Sequence, residues 1–145
     1  MTTNFICPDA NFVVRLVTHP PEETIYGDYW RQWKAADKQI IAPTLFYYEI
    51  TNAIYRMGRA GQLQEDEVQT ALEDVFNLRI SIKSDLQLHF QAVALAQQFD
   101  LPAAYDAHYL ALAQDYRAIF YTGDKRLFNQ VHSQFSDIVL VDGRS

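Results

Sequence analysis

Hydrophobic positions fall into two alternating patterns along this 145-residue chain. Short apolar runs are separated by longer segments in which apolar residues recur at helical spacing. Short runs of this kind are typical of buried strands, and the longer segments are typical of amphipathic helices. Their alternation predicts βαβ units around a parallel sheet, which makes the chain an α/β protein.

The strands predicted from these runs are all short. They cover Asn4 to Cys7, Gln39 to Ala42, Leu78 to Ile82, Ala118 to Tyr121 and Asp137 to Val141. Predicted helices cover residues 11–17, 24–37, 45–60, 65–76, 86–99 and 124–132, with a further helix that begins near Asp106. The helices at 45–60 and 65–76 are joined by a short link containing Gly61, which predicts a helical hairpin. Because no low-complexity linker or repeat interrupts the pattern, we expect one domain spanning residues 1–145.

Composition sets limits on this domain. Hydrophobic residues make up 49% of the chain, and a domain of this size buries about two-thirds of the surface that its unfolded chain exposes. Cys7 is the only cysteine, so an internal disulfide framework is excluded and a reducing cytosol is favoured. No apolar run approaches the roughly 20 residues of a membrane span, and the amino terminus lacks the pattern of a leader peptide. We therefore expect an unprocessed cytoplasmic protein without a membrane segment.

Four carboxylates lie at the edges of apolar segments rather than inside charged runs: Asp9, Glu49, Asp106 and Asp124. Asp9 and Asp124 each follow a predicted strand, and open parallel sheets form their ligand crevice beyond the carboxyl ends of the strands. These two side chains converge if the first and fourth strands are neighbours. Asp106 falls at a predicted helix start, and Glu49 lies one turn into its helix at the edge of the apolar stripe.

A group of carboxylates on separate elements suits hard divalent cations. Mg²⁺ and Mn²⁺ prefer oxygen ligands and keep several waters, so no local sequence motif is needed for a site. Acids packed together without a cation would raise one another's pKa values, and one or two ions would remove that repulsion. Two ions about 4 Å apart can activate a water and clamp a phosphodiester, so the pattern favours phosphodiester hydrolysis.

Each acid also has a structural interpretation. Asp106 and Asp124 both precede helices, where aspartate commonly caps the first turn. Glu49 can pair with Arg56 or Arg59, on its own or a neighbouring helix. Asp9 is the hardest to explain in this way, because a charge that closes a central apolar strand is uncommon without a partner.

The net charge of −6 argues at first against a nucleic-acid partner, because phosphates are normally met by an excess of Lys and Arg. Two bound divalent cations would offset most of that charge and leave local cationic patches to meet a polyanion. The side chains predicted to line the cleft and contact phosphates are Arg15, Arg56, Arg59, Lys125 and Arg126.

The segments that carry the acids resemble those of a known family. PDAN, YYEITNAI, YDAHYLALA and YTGDKRL, in this order and at this spacing, resemble the four acidic motifs of the PIN domain. The chain length resembles that of the VapC toxin ribonucleases of bacterial type II toxin–antitoxin systems. This resemblance implies a three-layer α/β/α fold with a central parallel sheet of four to five strands. It also implies an endoribonuclease that depends on Mg²⁺ or Mn²⁺ and hydrolyses RNA with a metal-activated water.

The resemblance implies roles for individual residues and for partners. The catalytic and metal-binding acids of the family correspond to Asp9, Glu49, Asp106 and Asp124. Supporting polar positions correspond to Thr122, near the last acid, and Asn11, near the first. The family implies a small antitoxin that occludes the site and a homodimer. Candidate contacts for an antitoxin helix or a second subunit are those aromatic residues that are exposed among Phe46, Tyr47, Tyr48 and Tyr55.

Pro8 departs from the family pattern, because proline cannot donate to a sheet ladder. The first strand is therefore expected to end by Cys7 or to leave position 8 unpaired.

Other functions stay open. A metal-free mechanism would need a histidine pair for acid–base cleavage through the 2′-hydroxyl, but nothing in the sequence pairs the four candidates: His19, His89, His108 and His132. A phosphoryl-transfer domain of similar outline would use Asp9 as its nucleophile, although Asn11 stands where such hydrolases favour a second acid. A non-catalytic α/β binding or dimerisation module would carry the acidic pocket incidentally.

Overall fold

The computed structural model describes residues 4–142, and within that range five strands and seven α-helices alternate along the chain. The strands are β1 (Phe5–Pro8), β2 (Gln39–Pro43), β3 (Ser81–Lys83), β4 (Ile119–Thr122) and β5 (Ile138–Leu140). The helices are α1 (Ala10–Thr18), α2 (Ile25–Ala35), α3 (Phe46–Arg59), α4 (Glu65–Asn77), α5 (Leu86–Gln98), α6 (Ala107–Tyr116) and α7 (Lys125–Val131). A 3₁₀ turn, Pro21–Glu23, precedes α2.

All strand pairs are parallel, and the sheet order is β3-β2-β1-β4-β5. The chain builds the sheet outward from β1 to β3, then crosses to β4 on the other side of β1. Strand order therefore reverses between β1 and β4, where an open α/β sheet forms its crevice. The first and fourth strands are neighbours, with Cys7 opposite Phe120.

Helices cover both faces of the sheet. α6 packs against β1, β2 and β4, and α5 packs against α6. On the other face, α1 contacts β4 and also packs against α2, α3 and α4. The predicted three-layer α/β/α fold with a central parallel sheet is confirmed, with five strands in the sheet. The described residues contain no helix with the length and apolar character needed to cross a membrane.

α3 and α4 form the predicted helical hairpin. The apolar face of α3 buries Phe46, Ile50 and Ile54 completely. Because Phe46 is buried, it is not one of the exposed aromatic residues expected to contact a partner. Tyr48 and Tyr55 fit that expectation better, because they remain 80% and 57% exposed.

Each strand differs from its predicted bounds at one or both ends, by at most three residues, and two of these differences have an identifiable cause. β3 begins at Ser81 rather than Leu78, because Leu78 caps α4 and Arg79 adopts a left-handed backbone with φ of 58°. β1 continues through Pro8, which lies opposite Tyr121. The Asp9 N–H donates to the Tyr121 carbonyl oxygen at 2.9 Å. The backbone N–H groups of successive strand residues point to opposite sides of the strand. Asp9 donates toward β4, so the Pro8 nitrogen, which carries no hydrogen, points toward β2. The pairing of β1 with β2 ends at Ile6, before this position.

The 3₁₀ turn lies directly against the first turn of α2. A Cβ added at Gly27 would lie 1.7 Å from the Pro21 carbonyl oxygen and 2.4 Å from its carbonyl carbon. The same helix buries Tyr26 and Trp33 against the ring of Phe12 in α1. The missing side chain at position 27 therefore lets the turn close over the end of an aromatic core.

Candidate active site

All four predicted acids line one cavity of about 260 Å³ beyond the carboxyl ends of β1 and β4. The junction between β1 and α1 supplies Asp9, α3 supplies Glu49, the position just before α6 supplies Asp106, and the turn between β4 and α7 supplies Asp124. Polar side chains that share the cavity are Asn11, Asn52, Arg56, Tyr109 and Thr122. The sheet topology and the helix phase thus bring together acids that are far apart in the sequence.

Asp9 is held by more hydrogen bonds than the other three acids. Its Oδ1 accepts the Phe12 N–H at 2.8 Å, which caps α1. Its Oδ2 accepts the Thr122 hydroxyl at 2.8 Å and the Gly123 N–H at 3.2 Å. Three donors from two separate elements therefore fix the orientation of this carboxylate.

Thr122 connects the first acid to the last. It is buried, with 1% of its surface exposed. While its hydroxyl donates to Asp9, the same oxygen accepts the Asp124 N–H at 3.0 Å. Asp124 in turn caps α7, since its Oδ1 accepts the Leu127 N–H at 3.1 Å. The capping interpretation of Asp124 is correct, and its Oδ2 accepts no hydrogen bond from any described residue.

Glu49 is oriented by a tyrosine. The buried Tyr109 hydroxyl donates to Glu49 Oε1 at 2.6 Å, and the Tyr109 ring stacks on Phe120 of β4. Within residues 4–142, neither Arg56 nor Arg59 forms an ion pair with Glu49. Pairing with an arginine of the same helix is therefore wrong as an explanation of this glutamate.

Within residues 4–142, the Asp106 side chain makes no hydrogen bond that would explain it as a structural residue. It occupies the N-cap position of α6, but its side chain makes no capping hydrogen bond. The capping interpretation is therefore wrong for Asp106, and its carboxylate remains available to the cavity that it lines.

Burial and mutual repulsion raise the pKa values of three of the four acids. Burial is the largest cause that raises the pKa values of Asp9, Glu49 and Asp106 above the ordinary carboxyl range. The charge of Asp124 raises the pKa values of Asp9 and Asp106 further, and the charges of Asp106 and Asp9 raise that of Glu49. Hydrogen bonds from the protein oppose these increases at Asp9 and Glu49. Since the folded state holds these protons more tightly than the unfolded state, stability falls as pH rises through the raised pKa values.

The donor set fits a hard divalent cation by its chemistry. Its charged groups are carboxylates, and none of the four acids forms an ion pair with Lys or Arg in the part of the chain described. A cation would relieve their mutual repulsion. In residues 4–142, no three His, Cys, Asp or Glu side chains approach closely enough to form a ready-made site. An ion bound by these acids would therefore keep several of its waters, as Mg²⁺ usually does in proteins.

The predicted cationic contacts are spread unevenly. Arg56 lines the acid cavity, and Arg126 lines a groove beside it. Arg15 lines a separate pocket next to Asn11, with its guanidinium 5.9 Å from the centre of the Tyr26 ring. The other two residues also lie outside the acid cavity: Arg59 lines a pocket between α3 and α4, and Lys125 is the exposed first residue of α7.

Two of the four histidines do form a pair, contrary to the sequence-based expectation. His89 Nδ1 and His108 Nε2 lie 2.9 Å apart, and His108 Nδ1 donates to the Ala104 carbonyl oxygen at 2.8 Å. Neither ring lines the acid cavity or the groove beside it. The pair therefore joins α5 to α6 without providing acid–base chemistry at the acids.

Sequence reasoning missed Tyr109, the direct partner of Glu49. The only available signal was its position in the same motif as Asp106, three residues later and therefore almost one helical turn away. It also missed Asn52, which lines both the cavity and the groove.

Comparison with known proteins gives a consistent picture. The family model described as PIN domain matches residues 6–133. No curated protein matches the sequence. A toxin-antitoxin complex from Klebsiella pneumoniae contains a chain that is 21% identical, with a TM-score of 0.64 over 92% of this chain and 95% of that one.

Two further solved structures share the fold. PAE2754 from Pyrobaculum aerophilum is 21% identical, with a TM-score of 0.64 over 88% of this chain and 79% of that chain. VapBC2 from Rickettsia felis, bound to a DNA fragment from its promoter, is 13% identical, with a TM-score of 0.64 over 94% of this chain and 97% of that chain. At these identities the solved structures establish the likeness of the fold.

Proposed function

Because the chain belongs to the PIN domain family, we propose that it is a divalent-metal-dependent endoribonuclease and acts as the toxin of a toxin–antitoxin pair. PIN domains are generally nucleases that use divalent metal ions, and VapC-type toxins are the members this chain resembles. The observation that carries the proposal is the convergence of Asp9, Glu49, Asp106 and Asp124 in one cavity, where none of them forms an ion pair with a Lys or Arg of residues 4–142.

In this proposal the four acids hold one or two Mg²⁺ or Mn²⁺ ions. A bound ion would lower the pKa of a water and stabilise the negative charge that develops on the phosphate during hydrolysis. Asp9 is presented rigidly, because its two oxygens accept three hydrogen bonds from the protein. Thr122 keeps Asp124 in register with Asp9, and Tyr109 orients Glu49. Asp106 contributes a carboxylate that no capping bond occupies.

The proposed partners follow from the likeness to toxin–antitoxin proteins. Two of the similar solved structures are a toxin-antitoxin complex and VapBC2, which supports a small antitoxin as partner of this chain. Homodimerisation is part of the same proposal and is measurable by analytical ultracentrifugation. A cytoplasmic location is also part of it, since the buried free thiol of Cys7 suits a reducing compartment.

Cleavage of RNA with and without metal tests the proposal. Purified protein is expected to cut a pool of single-stranded RNA in Mn²⁺ or Mg²⁺, to stop in EDTA, and to recover when excess Mn²⁺ is restored. Hydrolysis by water should leave 5′-phosphate ends, whereas attack by the 2′-hydroxyl would leave 2′,3′-cyclic phosphates. Persistent cleavage in EDTA, or cyclic phosphate ends, would contradict the metal mechanism. Absence of cleavage with both metals would favour a non-catalytic module.

Removal of the Tyr109 hydroxyl should weaken the metal site without disturbing the core. In Tyr109→Phe the ring stays stacked on Phe120, but Glu49 loses the donor that orients it. Because partners that orient metal ligands typically contribute about 10- to 100-fold to affinity or activity, we expect Mn²⁺ binding to weaken by a factor in this range. Isothermal titration calorimetry measures it, with Tyr116→Phe as a matched control away from the cavity. Equal Mn²⁺ affinity in the two variants would show that Tyr109 does not position Glu49.

A further inference from the structure

A second groove, of about 540 Å³, opens directly beside the acid cavity. The two share Glu49, Asn52, Asp106 and Asp124, so a ligand in the groove would extend onto the acids. The remaining lining is mostly apolar and comprises Leu45, Tyr48, Leu101, Pro102, Ala103, Tyr105, Arg126, Leu127 and Gln130. A groove of mixed apolar and charged lining, continuous with a candidate catalytic centre, is a natural place for the part of a substrate next to the reacting bond.

Two exposed tyrosines distinguish this groove. Tyr48 and Tyr105 keep 80% and 71% of their surface exposed. They occupy equivalent positions in the sequence, since Tyr48 directly precedes Glu49 and Tyr105 directly precedes Asp106. Among the described residues, neither ring stacks on another aromatic ring and neither hydroxyl makes a hydrogen bond. Their faces are therefore available to a ligand, and nothing in the packing of the chain explains their exposure.

We propose that Tyr48 and Tyr105 are stacking platforms for unpaired bases, so that the groove binds single-stranded RNA next to the phosphate to be cleaved. This inference rests on the proposed nuclease function. Aromatic side chains stack on the face of any base, but in a duplex those faces are covered by neighbouring base pairs. Recognition by stacking therefore requires a strand, loop or end whose bases can be splayed apart.

The rest of the groove lining is compatible with the same occupant. Arg126 is the one cation among the described residues that line the groove, and it can meet a backbone phosphate next to the acids, whose charges bound divalent ions would offset. Apart from Gln130 and the residues shared with the acid cavity, the other walls are apolar or aromatic, which disfavours a ligand that presents only phosphates, as a duplex backbone does. A single strand presents bases and phosphates in turn, so its bases can stack on the two tyrosines while a phosphate meets Arg126.

Binding measurements can test this inference without catalysis. A fluorescently labelled, mixed-sequence RNA strand of about 12 nucleotides, within the range that single-strand-binding folds cover, is titrated in Ca²⁺, a hard cation that can offset the carboxylates, and followed by anisotropy. The double variant Tyr48→Ala/Tyr105→Ala is expected to bind it roughly 5- to 150-fold more weakly for each base that loses its platform. Tyr48→Phe/Tyr105→Phe should retain the affinity, because phenylalanine stacks without the hydroxyl. Tyr55→Ala is the matched control, since Tyr55 is an exposed tyrosine of α3 outside the groove.

Cleavage assays separate this inference from the proposed function. If the wild-type protein cleaves no RNA, the nuclease proposal fails. If it cleaves RNA but the double alanine variant behaves like Tyr55→Ala, or if paired and unpaired RNA are cut equally well, the stacking inference fails alone. Stacking predicts a larger rise in KM than fall in kcat for the double variant. Loss of binding to a co-purified protein partner with unchanged RNA affinity would assign the groove to that partner and overturn the inference.

Discussion

Replacement of Asp9 by asparagine is expected to reduce RNA cleavage by at least about 10²-fold while the protein keeps its fold. Residues that only orient a metal ligand contribute about 10- to 100-fold, so loss of a ligand's charge should cost at least the upper end of that range. Asparagine keeps the side-chain volume and caps a helix about as well as aspartate, so the hydrogen bond from the Phe12 N–H can persist.

The rest of the Asp9 network sets the expected change in stability. The asparagine amide would face the Thr122 hydroxyl and the Gly123 N–H, which now donate to Oδ2. Lost hydrogen bonds of this kind cost about 1 kcal/mol each. The substitution also removes a carboxylate whose pKa is raised by burial and by Asp124, which offsets part of that cost at neutral pH. A net change of about 1 kcal/mol in the free energy of unfolding is therefore expected.

Single-turnover cleavage and chemical denaturation measure the two effects separately. Asp85→Asn is the matched control, because Asp85 caps α5 by accepting the Gln87 N–H but does not line the cavity. The control should cleave RNA at the wild-type rate. Retention of cleavage by a folded Asp9→Asn variant would remove the proposed catalytic role of Asp9.

The largest effect on stability is expected for Gly27→Ala. The new Cβ would lie 1.7 Å from the Pro21 carbonyl oxygen, and the obstacle is backbone rather than a flexible side chain. The 3₁₀ turn or α2 must therefore move, which would disturb the aromatic packing that α2 makes through Trp33. Overpacking costs about 1–3 kcal/mol and more where the neighbours cannot yield, so we expect a loss of roughly 3 kcal/mol and a Tm lower by roughly 10 °C.

Gly58→Ala provides the comparison for a helical glycine. Its Cβ would meet only the Val68 Cγ2 atom, at 2.9 Å, and a side-chain methyl can move aside. The gain in helix propensity from glycine to alanine, up to about 1 kcal/mol, should offset most of the remaining strain. Calorimetric melting of both variants checks the prediction. Equal Tm values for Gly27→Ala and the wild type would mean that the turn over α2 yields easily.

The sequence could predict that Asp9 and Asp124 lie close together at the ends of their strands. Asp9 and Asp124 follow short apolar runs, and the rule for open parallel sheets then brings them together once β1 and β4 are neighbours. The local chemistry of each acid could not be predicted in the same way. Asp106 and Asp124 both precede helices, yet only Asp124 accepts a capping hydrogen bond. That difference depends on backbone angles, which local sequence patterns do not specify.

Side-chain contacts between residues far apart in the sequence could not be predicted for a related reason. The bond from Tyr109 to Glu49 joins residues 60 positions apart, and the contact of His89 with His108 joins two helices. Neither pair belongs to a single periodic segment, so no hydrophobic pattern could indicate it. The early start predicted for β3 had another cause, because Leu78 and Ile80 pack as apolar residues without entering the ladder.

The hydrogen bonds that fix Asp9 have a consequence for biosynthesis. Asp9 is synthesised before its donors on Thr122 and Gly123, which follow 113 and 114 positions later. β1 lies between β2 and β4, so a growing chain that ends before β4 leaves one edge of β1 without its partner. A ribosome that stalls or terminates early therefore releases a fragment with an incomplete set of acids and a loosely held Asp9. A chain that ends before Asp124 lacks one of the four acids, so on the proposed function such a fragment is expected to cleave no RNA.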